Sequence, residues 1–288
     1  MKTCWIIYNG SLVNEKFIDQ ANLMAEAVTK FNITPIIKKN NDILVDLSIN
    51  MTNKPDFVIM FDKDILLGTY LQQQGIPVFN DPDVIERCDN KAKQYIALAA
   101  AGIKMPKTIV APKIYPNFSI EGSGYTERVI DTLGLPLVLK EAHGSFGMKV
   151  YLLHTVEEVQ EKVAQLSGVD FIFQEYIASS FGRDVRVNVV GGKVVAAMYR
   201  ESKTDFRANI TNGGTAYKVE LTPTQIELAL QAANALGAEY AGVDLLFDEH
   251  DEPLVCEVNA AAHIRNIYNV TGVNVGEALV QYILEKLG

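Results

Sequence analysis

Near the C-terminus two β-prone runs, GVDLLF (242–247) and LVCEVN (254–259), flank the turn-rich DEHDEP. They read as a hairpin with a six-residue loop. With Phe247 opposite Leu254, Asp244 faces Glu257, and Asn259 points to the same side as Glu257 because side chains alternate along a strand. The same strands carry Val243, Leu245, Leu246 and Val255. Two carboxylates facing each other on such a half-buried surface repel, so the fold that accepts them must supply positive charge. Asp244, Glu257 and Asn259 are hard oxygen donors, and the histidines at 143, 154, 250 and 263 form no zinc spacing. Hard oxygens on a rigid sheet suit Mg²⁺ or Mn²⁺ that keeps further bonds for phosphates. A neighbouring Lys or Arg is the other way to neutralise the pair. On the metal reading, Asp244→Asn or Glu257→Gln is expected to leave the fold intact.

Composition narrows what surrounds this hairpin. At 288 residues the chain can bury a sizeable core and has room for two or three lobes. Its 48% hydrophobic and 21% charged residues are those of a globular protein. A net charge of −9 argues against nucleic acid as a general electrostatic partner. Cys4, Cys88 and Cys256 are scattered and form no CxxC pair, which fits a reduced compartment. The opening MKTCWIIYNG lacks the pattern of a secretory signal, and no stretch approaches a membrane span. A cytoplasmic protein is expected.

The first 88 residues alternate between strand and helix: TCWIIYN, the amphipathic EKFIDQANLMAEAVTKF, ITPIIK, PDFVIMF, DILLGTYLQQQG and IPVFN. That pattern predicts a small parallel, doubly wound domain. The first strand runs into NGSLVNEK and not a GxGxxG turn, so a dinucleotide site is not expected, and the domain reads as a scaffold with a cleft. One helix is predicted from Asp89 to Ala101, stopped by Gly102, and a Pro/Gly/Ser-rich loop over 113–126. The rest predicts strands at LPLVLKEA, KVYLLHT, DFIFQEYI, RDVRVNVVGG and KVVAAMYRE, with helices at TVEEVQEKVAQLSG and TPTQIELALQAANALG.

Between LPLVLKEA and KVYLLHT lies HGSFGM, which does not match a P-loop. A glycine loop between strands can instead cover phosphate oxygens with its backbone N–H groups, and Lys140 ends the strand that precedes it. An ordinary hairpin turn is the alternative. FIFQEYI runs into Glu175 and Tyr176, where a strand end between lobes can offer its backbone to an adenine edge. DFRANI sets Arg207 and Asn209 two residues apart, an arginine suited to phosphate or carboxylate and an amide able to ligate a cation.

In this order, the lysine, glycine loop, hinge, Arg-x-Asn and Asp…Glu-x-Asn hairpin resemble the ATP-grasp superfamily. Within it they resemble the RimK-like glutamate ligases and the related lysine-biosynthesis ligases. QEYI, DVRVNVVGGKVVAA, DFRANI, GGTA, AGVD, EVNA and TGVNV carry the resemblance. It implies an α/β ATP-grasp fold with three parts: a pre-ATP-grasp parallel domain (1–88), a small lobe with the glycine loop (89–176) and a C-terminal lobe with the metal site (177–288). It also implies ATP and Mg²⁺ (or Mn²⁺) as cofactors. Nucleotide contacts are implied at Lys91, Lys140, Glu175, Tyr176 and Asp184, with Ser145, Phe146 and Gly147 over the phosphates. Arg207 and Asn209 are implied at the phosphate end, and Asp244, Glu257 and Asn259 at the metals. Arg200, His263 and Arg265 are expected to face the substrate. The implied reaction phosphorylates a carboxylate with ATP, and an amine then attacks the acyl phosphate. Lys140 and Arg207 are the implied catalytic cations, and no covalent enzyme nucleophile is required.

The sequence departs from that pattern at EVNAAAHIRN, which places His263 and Arg265 just beyond the metals, at a short RESKT connection, and at Lys149, where a glycine is common. Arg265 either reads an anionic substrate or is a surface arginine paired with an acid such as Glu277. The expected partners are a small-molecule or peptide carboxylate and an amine acceptor, and a homo-oligomer is expected. A D-alanine–D-alanine-type ligase and an inactive nucleotide-binding ATP-grasp protein are the other readings.

Overall fold

The computed structural model describes the chain except residues 121, 146 and 209–212. Phe146 and Asn209, expected at the phosphate end, therefore lie outside the described residues. In the first sheet β1 (Thr3–Tyr8), β2 (Thr34–Lys39), β3 (Phe57–Met60) and β4 (Val78–Phe79) are parallel in the order β2-β1-β3-β4. Helices α1 (Glu15–Thr29) and α2 (Ile65–Gln73) cover opposite faces. Cys4 and Ile6 pack with Ala21, Met24 and Val28, while Trp5 and Ile7 pack with Leu67 and Leu71. Burial on both faces explains why TCWIIY is a nearly unbroken apolar run.

The helix expected from Asp89 to Ala101 runs from Lys91 to Ala100, and a further helix that the sequence reading leaves out precedes it. Helix α3 (Pro82–Asp89) starts at Asp81-Pro82, a capping residue followed by proline at the first helical position. It ends at Asn90 (φ −90°, ψ 104°), whose side chain accepts from Lys93 N and begins α4 (Lys91–Ala100). The kink places Lys91 in the first turn of α4.

The second sheet is antiparallel, with β5 (Thr108–Val110), β6 (Leu137–Glu141), β7 (Val150–Leu153) and β8 (Phe171–Glu175) in the order β5-β8-β6-β7. It is backed by α5 (Tyr125–Leu133) and α6 (Val156–Gln165). The first residues of α5 fall in the stretch expected to be a loop. The Gly/Ser-rich approach, in which Gly124 has φ +66°, masks the helix's apolar face in the sequence.

The third sheet holds β9 (Arg183–Val190), β10 (Lys193–Glu201), β11 (Thr215–Lys218), β12 (Tyr240–Phe247) and β13 (Pro253–Asn259), antiparallel in the order β11-β10-β9-β12-β13. Helix α7 (Pro223–Ala235) covers one face, packing Ala229 and Ala232 with Val185, Val187 and Val189. Asp184 and Arg186 alternate with those valines and face the other way. Helices α8 (Arg265–Thr271) and α9 (Val275–Leu287) return to pack beside α1. Among the described residues no helix is long and apolar enough to cross a membrane.

The hairpin differs from its expected register. Phe247 faces Pro253, not Leu254, yet Asp244 still faces Glu257, because the register shifts between Asp244 and Leu245. Cys256 is the extra residue of this bulge.

Asn80, buried after β4, joins the first sheet to the third. Its Nδ2 donates to the carbonyls of Tyr240 and Ala260 (2.7 Å each), and its Oδ1 accepts from the N–H groups of Glu239 and Tyr240 (2.9 and 3.1 Å). Asn80→Leu strands four backbone groups in a buried place, and each orphan costs ~1–3 kcal/mol. A loss of several kcal/mol, seen as a lower denaturant midpoint, is the expected result.

Candidate active site

A cavity of about 630 Å³ is lined by residues from the neighbourhood of all three sheets. At one end Lys140, on β6, is 7% exposed. Its Nζ lies 3.5 Å from Tyr95 Oη and 3.9 Å from Cys256 Sγ, and among the described residues no carboxylate pairs with it. Burial pushes Tyr95 and Cys256 up, to about 12 and about 11, so both stay neutral at pH 7. The groups touching this ammonium are therefore neutral, and the Glu257 carboxylate favours it without contacting it. Glu175 and Tyr176, at the end of β8, also line the cavity. Oε1 of Glu175 accepts from Lys107 N (2.7 Å), and Glu175 N donates to Lys107 O (2.9 Å).

Further along, three cations hold the glycine loop. Lys91 Nζ donates to Gly144 O (3.1 Å), Lys63 Nζ to Ser145 Oγ (3.0 Å) and Arg207 Nη1 to Gly147 O (2.5 Å). Lys63 also pairs with Asp89, whose other oxygen meets His143 Nδ1 at 2.9 Å. Lys149, where the resemblance favours glycine, has φ +63°, a conformation in which glycine costs least, and pairs with Glu141 at 2.8 Å. Gly147 is also left-handed, at φ +71°. Gly147→Val puts a branched residue there at roughly 1–2 kcal/mol of backbone strain. The expected outcome is a several-fold weaker ATP Kd by titration, with a loss of global stability no larger than that strain.

The facing carboxylates are neutralised by cations of the chain itself. Arg186 grips Asp244 with Nε to Oδ1 and Nη2 to Oδ2 (2.7 Å), and Arg200 Nη2 reaches Oδ1 at 2.8 Å. Arg200 also binds Asp184 through two bonds of 2.6 and 2.7 Å. Lys91 stands 3.2 Å from Glu257 Oε1. Burial alone would raise the Asp244 carboxyl, but the two guanidinium groups hold it below its ordinary value. Glu257 is likewise held low, with Lys91 opposing the effect of burial. The expectation that both substitutions spare the fold therefore needs correction at Asp244, because Asp244→Asn would leave Arg186 without a carboxylate. Sequence reading misses Arg186. Its signal is the spacing of two from Asp184 on a strand whose other face is valine.

As a donor set, Asp244, Glu257 and Asn259 fit a hard dication: two carboxylates and an amide on adjoining strands, all lining the cavity. Asn259 Nδ2 sits 3.5 Å from Asp244 Oδ2, so its amide nitrogen faces the carboxylate in the ligand-free chain. With these bonds each Asp244 oxygen already accepts two donors, so a metal there must displace a guanidinium or the amide nitrogen.

Beyond the carboxylates the cavity is lined by His263, Arg265, Lys16, Phe17 and Asp19. Arg265 does face an anion, but that anion is Asp19, gripped through two bonds of 2.6 and 2.7 Å. Glu277 pairs instead with Lys30. His263 is lowered to about 4, chiefly by burial and then by Lys16 and Arg186, so it is neutral at pH 7 and offers a ring nitrogen, not a charge. Asn9, Asp62 and Lys63 also line the cavity. The N-terminal domain, expected to be a scaffold, contributes directly to the site. Its loops carry no motif, and only the sheet order reveals that they converge.

Comparison with known proteins agrees with this architecture. The family model for the RimK-like ATP-grasp domain matches residues 88–283. A probable alpha-L-glutamate ligase of Trichodesmium erythraeum is 35% identical over 75% of this chain and 71% of its own length. A D-alanine–D-alanine ligase of Bacillus anthracis, solved with ATP, shares the fold at a TM-score of 0.75 and 17% identity, over 99% of this chain and 98% of that one. The ATP-grasp ligase PsnB, solved with a precursor variant, Mg and ADP, does so at 0.70 and 15%, over 100% of this chain and 99% of that one. With more than half of its residues matched by the family model, the chain belongs to the RimK-like ATP-grasp family of ligases.

Proposed function

We propose that this chain binds ATP with Mg²⁺, phosphorylates a carboxylate and joins the acyl group to an amine, giving an amide, ADP and phosphate. The observation that carries the proposal is Lys140, a buried ammonium that lines the cavity with no carboxylate against it among the described residues. Such a group is costly to bury unless a ligand brings the negative charge. Lys140 and Lys91 would take phosphate oxygens, the loop with Ser145 and Gly147 would cover them, and the end of β8 would meet the adenine. Asp244, Glu257 and Asn259 would hold the metal, which when bound supplies charge neutralisation to the phosphates. Arg207, released from Gly147 O, would stabilise charge developing on the transferred group. Asp184 acts here through Arg200, fixing that guanidinium at the floor of the cavity. Arg186, Arg200 and Arg265 line this end, each against an aspartate, and a carboxylate substrate, either a small molecule or a peptide, would be held by exchanging one of those pairs. The related chain's name, probable alpha-L-glutamate ligase, makes glutamate the first amine to test. We place the reaction in the cytoplasm, in keeping with three free cysteines.

An ADP-release screen across amino acids and glutamate-ending peptides, with mass spectrometry of the product, tests the proposal. A glutamyl amide supports it. A D-alanyl dipeptide would favour the alternative that rests on the shared fold of the B. anthracis enzyme. ATP binding without ADP release from any pair would sink both.

A further inference from the structure

In the first sheet β1 is flanked by β2 on one side and β3 on the other, so the chain leaves the carboxyl ends of β1 and β3 in opposite directions. The crevice outside those two strand ends is the topological switch point, where open α/β sheets bind ligands. Asn9 and Asp62 occupy it. Asn9 follows β1, and Asp62 follows β3 by two residues. Both line the cavity that also holds the glycine loop, Lys91 and Glu257.

Asp62 is 6% exposed, and among the described residues no cation lies within ion-pair distance of it. The neighbouring Lys63 ammonium is turned away to Asp89 and Ser145. What holds Asp62 is neutral: Asn9 Nδ2 donates to both carboxylate oxygens (3.0 and 3.1 Å), and Lys63 N donates to Oδ1 (2.7 Å). Asn9 cannot turn its amide over, because its Oδ1 accepts from Ser11 N at 2.9 Å and from Ser11 Oγ. These bonds leave Oδ2 with acceptor capacity to spare. A carboxylate that is dry, oriented, without a contacting cation and open to the cavity is built to receive a positive ligand. Burial also pushes its carboxyl above the ordinary range, against the pull of Asn9 and Lys63 N, which makes it a better proton acceptor than a surface aspartate.

We propose that Asp62, oriented by Asn9 at the switch point of the N-terminal sheet, binds the ammonium group of the incoming amine and accepts its proton. This rests on the ligase reading above and adds to it the subsite for the nucleophile. In the step, R–NH₃⁺ gives one proton to the Asp62 carboxylate, and the freed lone pair attacks the acyl carbon. The C–N bond forms, the C–O bond to phosphate breaks with its electron pair leaving on phosphate, and a second N–H proton leaves with the phosphate as HPO₄²⁻. Asp62 then returns its proton to water. The acid at the switch point thus selects the amine.

The test compares two nucleophiles in the intact chain, with ATP, Mg²⁺ and a peptide ending in glutamate as the carboxylate donor. One is glutamate, which arrives as an ammonium ion. The other is hydroxylamine, which is mostly unprotonated at neutral pH and intercepts the acyl phosphate as a hydroxamate without needing a base. Asp62→Asn is expected to lower amide formation by about 10²-fold or more, in the range of general-base loss, while hydroxamate formation stays within about threefold of wild type. Asn9→Ala keeps the carboxylate but frees its orientation, and is expected to raise KM for glutamate with a smaller fall in kcat. Amide and hydroxamate falling together in Asp62→Asn would overturn the assignment in favour of a structural role, and amide formation left intact would overturn it outright. A wild-type chain that makes neither product would bring down the ligase reading itself, and this assignment with it.

Discussion

Lys140→Met is expected to weaken ATP binding by about 30- to 100-fold and at the same time to raise the melting temperature of the ligand-free protein. The two effects have one cause. In the free chain the Lys140 ammonium is buried against a tyrosine hydroxyl and a thiol, neither of which carries charge at pH 7. Replacing such a buried cation by an apolar chain of similar length relieves desolvation, so the folded state gains. In the complex the same substitution removes a charge-assisted bond to phosphate worth roughly 1.5–3 kcal/mol, which is one to two decades in affinity. Titration of ATP together with thermal unfolding in the absence of nucleotide checks both signs. A lower melting temperature would mean that Lys140 has a structural partner in the free chain. An unchanged Kd would remove it from the nucleotide site.

Most of this site is legible in the sequence because its chemistry sits on strands, where spacing of two fixes the side. Alternation alone places Asp244, Glu257 and Asn259 together, although the starting register is off by one and the Cys256 bulge restores it. What cannot be read is how charge is distributed among the residues in three dimensions. Arg186 looks like one polar residue in a valine-rich strand, yet it and Arg200 satisfy Asp244. Arg265 is correctly expected to need an anion, but Asp19 is 246 residues away in sequence, and no local pattern points to it. The N-terminal lining is invisible for the same reason: Asn9 and Asp62 meet only because β1 and β3 are neighbours. Helix α3 escapes notice for a plainer reason, that Asp-Pro signals a turn as readily as the start of a helix.

Asp244→Asn and Glu257→Gln separate the two duties that the hairpin performs. Both should cut ligase turnover by about a thousandfold, because the metal that neutralises the phosphates loses a charged ligand, and phosphoryl transfer depends above all on electrostatic stabilisation of this kind. Their effects on the free protein should differ. Glu257 faces Lys91 at 3.2 Å, and Lys91 keeps its bond to Gly144 O when the charge is removed. Glu257→Gln should therefore cost less than Asp244→Asn, because the Glu257 side chain is 27% exposed and the buried Lys91 retains a backbone acceptor. Among the described residues Asp244 is the carboxylate that grips Arg186, and it shares Arg200 with Asp184. Its conversion to a neutral amide leaves a buried guanidinium unpaired, at a cost of about 3 kcal/mol. The acid limb carries the same signature. The Asp244 carboxyl is held below its ordinary value in the folded chain, so its contribution is complete above the unfolded pKa of about 3.9 and is lost as the pH falls through the folded one. Between neutral pH and about pH 3, wild type should lose stability more steeply than Asp244→Asn, and the two curves should converge at the acid end. Parallel curves, or equal stability at pH 7, would show that Arg186 finds another partner and that the hairpin's acids serve the metal alone.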